Sequence, residues 1–184
     1  GAPNRFVEGV GEAPPGDTMV ALKDSLWFTA SESVARWKAG GWTTFALGAP
    51  VSLLAKDGPD SLWAVSQSSP FAAGGVRVAR LHRWDGTAWS DLGSPFAPNE
   101  DIRGLAAAGG VVWATGDAIY RREGARTDTI VCSSLPTGTA YSAVFAVGDE
   151  AWVVASLPTP GARETALVHI AGTRCMVVGT PPGE

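Results

Sequence analysis

The side chains with chemistry to offer are few, and their spacing limits what they can do. His82 and His169 occupy equivalent places in two similar stretches, Leu81-His82-Arg83-Trp84 and Leu167-Val168-His169-Ile170, which first suggests a paired metal site. No third ligand follows the pattern, and a zinc site needs at least three protein ligands, so packed or solvated imidazoles are the expectation. Carboxylates gather at turn-like positions, Asp24, Asp57, Asp60, Asp85, Asp117, Asp149 and Glu150 among them. Asp favours such places because its carboxylate bonds nearby backbone N–H groups. Asn99-Glu100-Asp101 lacks the spacing of a calcium loop. The serines have no neighbouring His-Asp constellation in sequence, and Gly74-Gly75 and Gly109-Gly110 lack the lysine of a phosphate-binding loop. Glycan hydrolysis would need two carboxylates converging to about 5–10 Å, and no acidic pair breaks the repeat pattern to supply them. The expectation is a non-enzyme with no catalytic residue, no cofactor and no metal, a glycan-active hydrolase fragment being the least favoured alternative.

Cys132 and Cys175 fit no zinc spacing. A disulfide between them and two separately packed thiols are both open readings. With few Lys and many Arg, Ala and Gly, a Trp-rich and turn-rich chain suits an exported protein, placed outside the cell, in a periplasm or on the cell surface. The net charge of −4 argues against nucleic acid, which requires a clustered excess of cations. Arg121-Arg122 and Arg126, interrupted by Glu123, read as a solvated strand face. No apolar run approaches the ~20 residues of a membrane helix, so membrane insertion is not expected. The start, Gly-Ala-Pro without an initiating Met, is the start expected of a processed chain or of one cut from something longer.

Charged residues make up only 17% of the chain while Gly numbers 23 and Pro 13, which favours short strands joined by tight turns. A Trp preceded by small or apolar residues recurs at Trp27, Trp63, Trp113 and Trp152. Upstream of each lies a small-residue apolar strand ending in a turn, and downstream a second hairpin, clearest in Leu81-His82-Arg83-Trp84-Asp85-Gly86-Thr87-Ala88-Trp89-Ser90. Asp-Gly there tolerates the backbone angles of a tight hairpin. Pro-rich connectors separate the units, because Pro ends a sheet ladder. The chain therefore divides into four units of four strands, approximately 17–47, 48–93, 94–133 and 134–180, with an extra strand and linker in 1–16.

Trp84-Asp85-Gly86-Thr87-Ala88-Trp89, with Leu62-Trp63-Ala64-Val65 before it, resembles the repeats of bacterial tandem-repeat β-propellers. Ile102 to Gly124 is also similar to a tectonin-type propeller repeat. The resemblance implies an all-β fold, a propeller of four-stranded antiparallel blades with about four blades here, or a segment of a larger ring. On that fold Trp27, Trp63, Trp113 and Trp152 should pack between blades, while Trp37, Trp42, Trp84 and Trp89 lie on outer hairpins.

The second-to-third strand connection is short in units one and three but long in units two (67–75) and four (157–164). In a propeller these loops share one end of the molecule with the inter-unit connectors. Phe71, Phe96, Pro158, Pro160 and Arg163 are thus expected to form a binding mouth, since loops on a rigid scaffold commonly carry function. The function expected is non-catalytic recognition of a protein or glycan through that face; the alternative is a structural part of a larger multidomain or multi-chain propeller, its partners being other domains of the same polypeptide.

Overall fold

The computed structural model describes residues 18–69, 75–159 and 162–179, with the backbone alone for 159, 162 and 163. Residues 1–17, which include the extra strand and linker expected in 1–16, lie outside this set. Sixteen strands form four antiparallel sheets, each in simple meander order. Sheet one contains β1 (Met19–Leu22), β2 (Ser25–Ala30), β3 (Ser33–Lys38) and β4 (Gly41–Ala46). Sheet two contains β5 (Val51–Asp57), β6 (Ser61–Gln67), β7 (Ala79–Trp84) and β8 (Trp89–Asp91). Sheet three follows with β9 (Gly104–Ala108), β10 (Val111–Thr115), β11 (Ile119–Glu123) and β12 (Arg126–Ile130). Sheet four has β13 (Ala140–Val147), β14 (Glu150–Thr159), β15 (Ala162–Ala171) and β16 (Arg174–Gly179).

The first strands of the sheets neighbour one another in the order β1, β5, β9, β13, so the sheets stand side by side around a common inner edge. Small side chains make this crowding feasible. Gly104 on β9 is one such place: an added methyl would collide with the Thr115 hydroxyl and press on the backbone of Val144 in β13. Three apolar clusters fill the spaces between successive sheets. Each takes one face of two adjacent sheets, as period-two alternation requires when a strand is covered on both sides.

Strand pairing places the repeated Trp at the third position of β2, β6, β10 and β14; those of the first three sheets lie on the face turned to the next sheet in sequence. Trp27, Trp63 and Trp113 are 1%, 4% and 0% exposed. Opposite each in register stands an arginine of the third strand: Arg36, Arg83 and Arg121. Their guanidinium groups lie 5.4, 5.3 and 5.8 Å from the indole centroids, within cation–π range. In sheet four the same register pairs Trp152 with His169, stacked at 4.5 Å.

One expectation for the aromatic residues needs correction. Trp152 is only half-buried, because no fifth sheet covers its face among the described residues. Trp84 lies on the outer β7–β8 hairpin as expected, is 3% exposed, and packs with Trp27, Phe45 and Trp89 between sheets one and two. Its register partner is Leu62, so it shares the face that sheet two turns to sheet one.

A disulfide joins Cys132, in the connector after β12, to Cys175 on β16, with Cα atoms 5.5 Å apart. It ties the outermost strand of sheet four to the exit of sheet three. The Asp85 turn owes its shape to one carboxylate oxygen accepting from Thr87 N (2.8 Å), Thr87 Oγ1 (2.7 Å) and Ala88 N (2.9 Å). These donors, the Ala88 N–H above all, hold its pKa down to about 2.

Candidate functional site at the connector end

In a four-strand meander the turn between strands two and three emerges at the same end as the connector to the next sheet. The hydrogen bonds show how this end is fastened. Val51 N, opening β5, donates to Ser31 O in the β2–β3 turn (2.7 Å), and Tyr141 N, near the start of β13, donates to Gly116 O in the β10–β11 turn (2.7 Å). Between sheets two and three, the N–H in the corresponding place, that of Ile102, is bonded to a side chain. That side chain is Gln67: its Oε1 accepts from Ile102 N and its Nε2 donates to Ile102 O, both at 2.9 Å, with a further bond from Nε2 to Ser52 Oγ at 3.0 Å. A side-chain amide thus accepts the N–H that a turn carbonyl accepts elsewhere, and adds a bond back to the Ile102 carbonyl.

Around it the end is charged. Arg77 pairs with Asp101 at 2.5 Å, and Arg103 reaches both Asp101 (3.3 Å) and Asp117 (2.9 Å). Glu100, 7% exposed, serves the backbone instead. Its Oε1 accepts from Asp117 N (2.5 Å) and Ala118 N (3.1 Å), holding the β10–β11 turn. Gly116 is there because a Cβ would meet the Asp101 carbonyl and that carboxylate. Apolar side chains lie exposed in the same connections: Val76 and Val78 after β6, and Val131 after β12.

The residues expected to form a mouth are placed as follows. Phe96 is not presented to a partner; it is 7% exposed and packs edge-on against Tyr120 at 5.1 Å in the cluster between sheets two and three. Its connector bends back onto the sheet, and Ala97 N donates to the Tyr120 hydroxyl, fixing the bend. Phe71 and Pro160 lie outside the described residues, as does the side chain of Arg163. Pro158 is exposed and lies in β14 opposite Arg163, where the stretch expected as a loop continues as paired strands beyond the end of β13. Proline is tolerated there because β13 does not extend to pair with it. The hairpin reaches the connector before β13: a Cβ on Gly138 would lie 3.9 Å from the Pro158 ring.

One constellation escaped the sequence. Ser66 Oγ and His82 Nε2 are 2.8 Å apart on neighbouring strands, diagonal in the β6–β7 register. Both are closed off from solvent, at 0% and 2% exposure, so the hydroxyl cannot meet a substrate. Burial depresses the His82 pKa below the ordinary imidazole value, only partly offset by the Asp91 charge. The pair is a satisfied polar contact inside the core. Among the described residues, no group of three or more His, Cys, Asp or Glu could hold a metal ion, and no helix is long and apolar enough to cross a membrane.

No protein-family model and no curated protein matches the chain. Solved structures do. The structure of YCF48 bound to D1 peptide superposes with a TM-score of 0.55 at 15% identity, over 89% of this chain and 54% of that one. The computationally designed Ika8 protein gives 0.56 at 9%, over 90% and 61%, and a chain of the nidogen/laminin complex 0.50 at 13%, over 86% and 75%. The fold is that of a β-propeller. The four sheets are its blades, and the chain spans about half the length of the first of these propellers. At such identities the likeness concerns the fold alone.

Proposed function

We propose that this chain is a non-catalytic binding module that engages a protein partner through the connector end of the propeller. The observation that supports it is the mixture found there: exposed Val76, Val78 and Val131 beside the ion-paired Arg77, Asp101, Arg103 and Asp117, all carried on connections clamped to a rigid sheet array. Apolar side chains rimmed by charge are the usual make-up of protein-recognition surfaces. Propellers that superpose on this chain are found with a D1 peptide and in a nidogen/laminin complex, which supports a protein partner over a glycan. Asp101 and Asp117 are engaged by arginine and Glu100 by backbone N–H groups, which favours binding over hydrolysis. An exported location accords with the disulfide, since such bonds persist in oxidising compartments.

The test is quantitative affinity capture from cells that express the chain, comparing the wild type with Val78→Asp/Val131→Asp, alongside a glycan array. A set of proteins retained by the wild type and lost by the variant supports the reading. Equal capture by both, or binding to glycans alone, refutes it. A second reading, a structural part of a larger assembled propeller, is favoured by the exposed apolar residues of blades one and four, Met19, Phe145 and Met176 among the described residues.

A further inference from the structure

The three inter-blade interfaces share one chemistry. The forward face of a blade, bearing its Trp and the cation opposite, meets the backward face of the next, bearing the two residues that flank that blade's own Trp on its second strand. On blades two, three and four these flanking residues, Leu62 and Ala64, Val112 and Ala114, Ala151 and Val153, are 0–2% exposed. On blade one the equivalent Leu26 and Phe28 are only half-covered, beside Met19 at 62% exposure and the Phe28–Trp42 contact at 5.4 Å. At the other end the forward face of blade four holds Trp152 half-buried, with Phe145, Val147, Leu167, Met176 and Val178 between 37% and 66% exposed.

Each uncovered face is therefore of the type that the other covers inside the chain. Among the described residues blade four has no packing on blade one comparable to that between successive blades, so the two faces do not satisfy each other within one molecule. We infer that the forward face of blade four seats blade one of a second copy of this chain, and the reverse, closing a two-chain ring of eight blades head to tail. The inference rests on the second reading above and adds the identity of the occupant. The occupant is argued from continuity: the new contact is a fourth instance of an interface already present three times. The backward face of blade one is the uncovered surface of matching chemistry in the described residues. Among the described residues, the ionisable groups on the forward face of blade four are His169, stacked on Trp152 and bonded to Glu150 at 3.0 Å, with Glu150 itself and Arg174 beside the β14–β16 end of the same face. Head-to-tail contacts close into rings when the rotation per subunit divides the circle, and this chain covers about half of the first propeller it superposes on.

The test is the solution mass of the intact chain by light scattering, with Phe145→Glu on blade four and Met19→Glu on blade one. Both side chains are exposed in the single chain, so neither change should disturb folding, and near-ultraviolet circular dichroism from buried Trp113 checks this. The expected results are twice the 19.0 kDa chain mass for the wild type, halving for each variant alone, and partial return to the doubled mass when the variants are mixed, because the mixed ring keeps one undamaged interface. A wild type that stays at single mass overturns the inference. So does a mass that grows without limit, or a Met19→Glu chain that still pairs while Phe145→Glu does not, since the last would mean two fourth blades facing each other. These outcomes are independent of partner capture at the connector end, so the two readings can fail separately.

Discussion

Breaking the Cys132–Cys175 bond should lower stability by an amount the topology sets. The bond spans 43 residues of sequence and encloses the whole of β13, β14 and β15. Loop-closure entropy for a cross-link of this span amounts to about 4 kcal/mol at room temperature. For a chain of 184 residues, that should shift the melting temperature by about 10 °C. The assay is thermal unfolding followed by Trp fluorescence for the oxidised protein, the protein reduced and alkylated, and Cys132→Ala/Cys175→Ala. Since Cys132 is 3% exposed and the alkyl group adds bulk, the double Ala variant is the cleaner comparison. A shift below about 3 °C in that variant would refute the argument, because it would mean that the unfolded chain gains little freedom on release.

Further outcomes are expected on the same physical grounds. Gln67→Leu removes both bonds to Ile102 and the bond to Ser52 while leaving the backbone polar groups of Ile102 unpaired; urea unfolding should show a loss of about 2–4 kcal/mol. Trp113→Ala empties the centre of the interface between blades three and four and should cost about 3–5 kcal/mol in the same experiment, against under about 1 kcal/mol for the exposed Lys56→Ala. His82 is held neutral by burial, so its folded pKa lies below the unfolded value of 6.5. Above 6.5 both states are neutral and the full stability is present; as pH falls from there toward the folded pKa, the unfolded chain takes up a proton that the folded chain refuses. Stability should therefore drop, by at most about 1.4 kcal/mol per pH unit, and His82→Gln should abolish that slope in urea titrations between about pH 7 and 5.5. A slope unchanged in the variant would assign it to another group.

What could be read from the amino acids was whatever repeats locally. The Trp spacing, the Asp85-Gly86 hairpin and the small-residue strands are set by neighbours a few positions away, and they suffice for a four-stranded meander recurring four times. The misplacements arise where distant segments decide. Phe96 sits between two prolines in a connector and so reads as loop, yet Tyr120, contributed by the next blade, gives it a slot in the core. Trp152 matches the other three Trp residues in every local respect, and differs only in that no further sheet lies against its face among the described residues. Ser66 and His82 meet because the β6–β7 register brings them diagonal, a fact no spacing along the chain contains. Pro158, Pro160 and Gly161 suggest an irregular loop, whereas β14 and β15 carry their pairing on past the edge of β13.

The Gln67 amide has a consequence for how this architecture can vary. Where a tight turn supplies the carbonyl that clamps the next blade, the turn cannot be altered without loosening the array. Once a glutamine has taken over that duty, the residues between Ser68, bonded to Val78, and Arg77, bonded to Asn99 and Asp101, no longer carry it, and their length and composition can be engineered. The stretch between these anchors is thus a place to display a foreign peptide on this scaffold.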